Sequence, residues 1–144
     1  MQLSEYFTLE ELTASTTAKL KRIDNTPDRK ACLRLAYLCQ NILAPIRRKY
    51  GFPIYVNSGY RCPELNKAVN GSATSQHLTG DAADITCKAT SRAELFRLIK
   101  KMVESGAIEV GQLIWEYGDA ANPSWIHVSN PREGKPNNQV LYLF

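Results

Sequence analysis

Apolar positions recur at helical spacing in two long stretches of the chain and alternate with polar ones in shorter runs towards its end. The clearest stripe is Cys32, Leu35, Cys39, Ile42 and Ile46, one apolar face that runs on to Tyr50 and stops at Gly51. Thr26-Pro27-Asp28 marks its start, with Thr26 as N-cap, Pro27 at the first helical position and Asp28 facing the positive helix end. Pro45 falls inside the stripe and predicts a kink, because proline removes one backbone hydrogen bond. On this face Cys32 and Cys39 read as small buried hydrophobes. A second stripe, Leu95, Leu98, Ile99 and Met102, follows the capping box Ser91-Arg92-Ala93-Glu94 and ends near Ser105, with Gly106 as cap. A shorter helix at residues 9–15 follows the capping box Thr8-Leu9-Glu10-Glu11, and one or two turns at 63–69 run into the turn dipeptide Asn70-Gly71.

Strand-like segments are expected at 53–57, 82–86, 112–116, 125–129 and 139–143. Helices dominate the first third and strands the last, without βαβ alternation. The expectation is an α+β fold, a small and mainly antiparallel sheet packed against the N-terminal and central helices. No repeat or linker interrupts the chain, so one domain over residues 1–144 is expected.

Composition narrows the function. A chain of 144 residues suits one domain, and 44% hydrophobic with 22% charged residues is ordinary for a globular protein. No apolar run approaches the ~18 residues of a membrane helix. The opening MQLSEYFTLEEL lacks the basic and apolar segments of a secretory leader, which predicts cytoplasmic synthesis. Eighteen basic against 14 acidic residues leave +4, compatible with an anionic polymer but without the basic run of a nucleic-acid binder. A monomer that binds no nucleic acid is the expectation. The four cysteines, Cys32, Cys39, Cys62 and Cys87, form no Cys-x-x-Cys pair, which excludes a cysteine zinc knuckle or a thioredoxin-like motif. Reduced thiols are expected, and whether Cys62 meets Cys87 is left open.

The chemistry gathers around the only two histidines. His77 lies in Ser75-Gln76-His77-Leu78-Thr79-Gly80-Asp81-Ala82-Ala83-Asp84, where Gly80 allows a tight reversal that brings His77 back towards Asp84. Alternation puts Ala82, Asp84 and Thr86 on one strand face, and Trp125, His127 and Ser129 on one face of another. Asp84 interrupts an apolar strand, where an unpaired carboxylate is costly and a metal ion would remove the cost. Two imidazoles and one carboxylate with an open fourth position suit catalytic zinc rather than a structural site.

Ser75-x-His77-x-x-Gly80-x-Ala82-x-Asp84 followed by Trp125-Ile126-His127-Val128-Ser129 resembles the zinc signature of the D-alanyl-D-alanine carboxypeptidase family, a fold related to the hedgehog signalling domain. The resemblance extends to Phe7-Thr8-Leu9-Glu10-Glu11-Leu12, Asp24-Asn25-Thr26-Pro27, Ser58-Gly59-Tyr60-Arg61 and Asn66-Lys67-Ala68-Val69, and is strongest with the small single-domain branch found in bacteria and phage lysis enzymes. It implies one zinc ion held by His77, Asp84 and His127. It also implies a metallopeptidase that hydrolyses amide bonds in peptidoglycan stems, as a carboxypeptidase or endopeptidase acting at the wall once released.

Hydrolysis also needs a proton shuttle and a group that steadies the oxyanion. Glu116, ending the strand Leu113-Ile114-Trp115, is the expected base, matching a family glutamate placed in a similar strand. Some relatives carry their acid three positions before the final histidine; here Ser124 stands there, which leaves Asp119 as a weaker candidate. The resemblance gives Arg61 a transition-state role. Ser75 and Gln76 are expected to bind substrate or to support His77, Tyr60 and Trp125 to wall the substrate, and Trp115 to lie in the core. The alternative is a zinc-containing module that binds wall peptides without cutting them, as the hedgehog relatives show the fold can be kept for recognition.

Overall fold

Thr8 opens the first helix with a reciprocal cap: the Glu11 amide donates to Thr8 Oγ1 at 3.2 Å and the Thr8 amide to Glu11 Oε1 at 3.3 Å. A computed structural model describes residues 1–144, in which this helix, α1, spans Leu9–Thr13. A further helix, α2 (Thr16–Lys21), follows directly, capped by Ser15, whose Oγ accepts from the Ala18 amide. The apolar pattern does not signal α2, because Ala18 is its only buried residue.

The central helix begins later than the Thr26 cap predicts. Asp28 is the N-cap of α3 (Arg29–Leu38), its Oδ1 accepting from the Ala31 amide at 2.8 Å, while Thr26 donates both its amide and its hydroxyl to Asp24 Oδ1. Asp24 thus captures the residue that would otherwise cap the helix. Shifting the start also shifts the buried stripe to Ala31, Leu35, Leu38, Cys39, Ile42 and Ile46, and leaves Cys32 half-buried. Pro45 leaves its mark one turn earlier than itself: Cys39–Leu43 is a π-helical turn, with the Ala44 amide reaching back to the Cys39 carbonyl, before α4 (Ala44–Tyr50) resumes. Widening the turn accommodates a residue with no N–H to donate. Gly51 closes α4 at φ 81°, a left-handed conformation that glycine adopts without strain.

Beyond it come β1 (Ile54–Ser58), α5 (Pro63–Ala68), β2 (Ala82–Cys87), α6 (Arg92–Glu104), β3 (Gln112–Glu116), β4 (Trp125–Ser129) and β5 (Gln139–Leu143). The Ser91 side chain caps α6 by accepting from the Glu94 amide. The sheet runs β1-β2-β4-β3-β5, antiparallel except where β5 lies parallel to β3. The fold is therefore α+β with a five-stranded, mainly antiparallel sheet.

Period-two alternation divides the sheet into two chemically different faces. Ala83, Ile85 and Cys87 of β2, Leu113 and Trp115 of β3, and Ile126 and Val128 of β4 join a core of 27 buried residues that includes Leu35, Leu38, Ile42, Ile46, Phe96 and Ile99. The other face carries Asp84, His127, Ile114 and Glu116, with His127 paired in register to both Asp84 and Ile114. Helices cover the apolar face, and the polar face is left to chemistry. All four cysteines are free, so Cys62 and Cys87 are unpaired; Cys62 instead caps α5, its Sγ accepting from the Leu65 amide. No helix is long and apolar enough to cross a membrane.

Candidate metal centre

Two loops complete the polar face. After Val56 the pairing of β1 with β2 slips by one residue, so that Ser58 sits opposite Asp84. The chain then passes so close to α1 that a Cβ on Gly59 would lie 2.2 Å from the Leu12 carbonyl oxygen, and the Tyr60 amide donates to that same oxygen at 2.8 Å. Asn25 secures the loop from beneath, its amide donating to the Thr13 and Tyr60 carbonyls while its Oδ1 accepts from the Cys62 amide. The second loop is the 3-10 turn Gln76–Thr79, capped by Ser75 Oγ and closed by Gly80 at φ 78°. At Gly80 a Cβ would lie 2.6 Å from the Ala31 carbonyl oxygen, so the reversal between His77 and Asp84 requires glycine twice over.

These loops set the histidines. His77 Nδ1 lies 2.7 Å from the Gly59 carbonyl oxygen. Because a carbonyl only accepts, that partner assigns the ring proton to Nδ1 and leaves a lone pair on Nε2, 3.3 Å from Asp84 Oδ1. His127 turns the other way: its Nε2 donates to Gln76 Oε1 at 3.3 Å, and its Nδ1 faces Asp84 Oδ1 at 3.0 Å. The rings stand edge to face with centroids 5.3 Å apart. His77, Asp84 and His127 are 3%, 8% and 7% exposed, and their ligand atoms all lie within 4.8 Å of one another.

This donor set fits a divalent metal ion. Two imidazole lone pairs and a carboxylate oxygen converge, and the outward nitrogen of each ring is committed to an oxygen acceptor, the arrangement that orients histidine ligands. Nitrogen and oxygen donors without thiolate suit zinc, and three protein ligands on the floor of an open cleft leave a position free. Burial works against ionisation of Asp84, but with no ion bound, protonated His127 and His77 donate hydrogen bonds and bring positive charge that outweigh it, holding the carboxyl well below the usual range.

Glu116 lies on the same face, its Oε1 3.6 Å from His127 Nδ1. Burial and the nearby Asp84 charge raise its pKa against the opposing pull of the two histidines. Arg61 faces the cluster from the first loop. Its Nε donates to Asn66 Oδ1 (3.1 Å), Nη1 to Ser58 Oγ (3.3 Å) and Nη2 to Ser75 Oγ (3.2 Å), all neutral acceptors. Burial lowers its pKa, opposed by the charges of Asp84 and Glu116. Arg61 makes no ion pair, so it is not held as a structural salt bridge.

The cleft, about 820 Å³, is lined by His77, Asp84, His127, Glu116 and Arg61 together with Tyr60, Ser75, Gln76 and Trp125. Tyr60 is nearly buried, and Trp125 stands edge-on to the exposed Tyr117 at 5.3 Å. Ser75 reaches the Arg61 guanidinium, and Gln76 supports His127 rather than His77. Asp119 does not line the cleft: its Oδ1 accepts from the Ala121 and Asn122 amides and closes the turn after β3. Trp115 packs in the core against Phe96. Sequence reasoning missed the role of Asn66, which is 5% exposed and aligns Arg61 while its Nδ2 donates to the Ser72 carbonyl. The available signal was a polar residue next to buried Leu65 on a short helix.

A family model described as Peptidase M15 matches residues 5–129, a span that contains every residue of this cluster. No curated protein matches the chain.

Proposed function

The chain belongs to the peptidase M15 family, and from that premise we propose that it is a zinc-dependent peptidase hydrolysing amide bonds in peptidoglycan stems, at or near a D-alanyl bond. The observation that carries the reading is the convergence of His77 Nε2, Asp84 Oδ1 and His127 Nδ1 on the cleft floor beside Glu116.

His77, Asp84 and His127 would hold zinc, which would supply a Lewis acid for the scissile carbonyl and for an attacking water. The chain's own residues do the rest. Glu116 takes a proton from the attacking water and delivers it to the departing amine, a task suited to a carboxyl whose pKa is raised. Arg61 offsets the negative charge that develops on the carbonyl oxygen, and its three neutral hydrogen bonds place it before the reaction begins. Tyr60 and Trp125 wall the peptide, while Ser75 and Gln76 hold Arg61 and His127 in position. The reading takes the whole chain, 1–144, as one domain.

A non-cutting binding module is the competing reading. The 3.6 Å approach of Glu116 to His127 favours the peptidase, since recognition alone has no use for a base beside the ligand cluster. Mass spectrometry of peptidoglycan fragments after incubation with wild type and with Glu116→Gln tests it. Products from wild type alone support the peptidase. Equal cleavage by both removes Glu116 from its role, and fragments bound but uncut by wild type support the binding module.

A further inference from the structure

The loop after β4 carries a second arginine into the same cleft, outside the residues that match the family. Arg132 is half-buried and makes no ion pair. Its Nη2 donates to the Pro136 carbonyl (3.2 Å) and to Gln139 Oε1 (3.4 Å), and that oxygen also accepts from Gln112 Nε2 (3.2 Å). Its Nε is buried with no partner, and its Nη1 makes no hydrogen bond within the chain. The guanidinium is not needed to close the loop. Asn137 already does so, its Oδ1 accepting from the Arg132 amide (2.9 Å) and its Nδ2 donating to the Arg132 carbonyl (3.1 Å).

Resting on the peptidase reading, we propose that Arg132 forms an anion-binding subsite, which selects peptides bearing a carboxylate several residues from the scissile amide bond. A half-buried cation that is held in place but lacks a counter-ion is completed by a planar carboxylate, which its fork can engage with two parallel hydrogen bonds. Strand order sets the distance. Arg61 is tied to Ser58 on β1 and Arg132 to Gln139 on β5, the two edges of the sheet, with Asp84 and His127 on β2 and β4 between them. Four inter-strand spacings come to about 19 Å, which an extended peptide spans in about six residues. A stem peptide crossing the polar face therefore meets the metal ligands in its middle and one arginine towards each end.

The test uses zinc-loaded full chain and short stem peptides that carry, at each position flanking the scissile bond in turn, either a free carboxylate or its carboxamide. Affinity is read by calorimetry and turnover by chromatography. Wild type prefers the carboxylate at one position by about ten- to a hundredfold, in Kd and KM rather than in kcat. Arg132→Gln abolishes that preference and leaves the carboxamide peptides unaffected, while Arg132→Lys keeps part of it; the lysine variant also carries the comparison if the glutamine variant fails to fold. Equal affinity for both forms at every position, no peptide binding at all, or an unchanged preference in Arg132→Gln overturns the subsite. Carboxylate-dependent binding through Arg132 without cleavage leaves the subsite standing and defeats the peptidase reading, whereas cleavage indifferent to Arg132 does the reverse.

Discussion

His127 Nε2 faces Gln76 Oε1 at 3.3 Å, and this contact turns the opposite nitrogen of the same ring towards Asp84. Gln76, the first residue of the 3-10 turn, thus orients a ligand 51 residues away on β4. Gln76→Leu removes the acceptor and is expected to weaken zinc binding by about 10–100-fold, measured by competition with a chelator. Gln76→Glu, which keeps an acceptor, stays closer to wild type. Equal affinities for all three proteins would show that Asp84 alone orients the ring.

Asn66 and Arg61 form a similar pair, joined at 3.1 Å. Arg61→Lys keeps the charge but loses the fork and is expected to lower kcat by about 10²–10³-fold. Asn66→Ala leaves the arginine in place but unaligned, with an expected loss of up to about 10². Steady-state kinetics on a stem peptide distinguish these: a change confined to KM would make Arg61 a binding group rather than a stabiliser of the oxyanion.

Much of this site was legible before the structure. Asp84 and His127 stand out because alternation assigns each to a strand face and because an acidic residue within an apolar strand demands a partner, while His77 follows from the reversal at Gly80 and the family motif. All five strands fall where alternation places them, within a residue at either end of β1 and β2. What stayed hidden depends on contacts between distant segments. Thr26 looks like a cap until Asp24 is seen to hold it, and α2 buries too little to leave a stripe. Gln76 is expected to bind substrate or support His77, but its partner is His127 on β4, and Asn66 is tied to Arg61 in the preceding loop; spacing along the chain reveals neither pairing.

Gly59 offers a test of the loop that holds both His77 and Arg61. A methyl group there would sit 2.2 Å from the Leu12 carbonyl oxygen, and the collision is with backbone. Gly59→Ala should push the loop off α1, lengthen the Gly59–His77 contact and lower stability by about 1–3 kcal/mol in urea unfolding. It should weaken zinc binding as well. Unchanged stability would mean that the loop can shift freely.

Cys39 gives a pH signature unrelated to the site. Burial, aided by the Glu11 charge, pushes its thiol up to about 12. The unfolded thiol titrates near ~8.5, so its contribution to stability is complete below that pH and is lost as pH rises from ~8.5 towards the folded value. Cys39→Val should show a shallower alkaline loss of stability than wild type. In the folded protein a thiol reagent at pH 8 should modify the half-buried Cys32 and Cys62 ahead of Cys39; early modification of Cys39 would contradict its burial.

The most direct measurement is anomalous scattering at the zinc edge from crystals of protein purified without chelator. The account predicts an anomalous peak in the cleft within bonding distance of His77 Nε2, Asp84 Oδ1 and His127 Nδ1, and its loss in Asp84→Ala. A zinc-soaked crystal with no peak there, or with its peak on other residues, would contradict it.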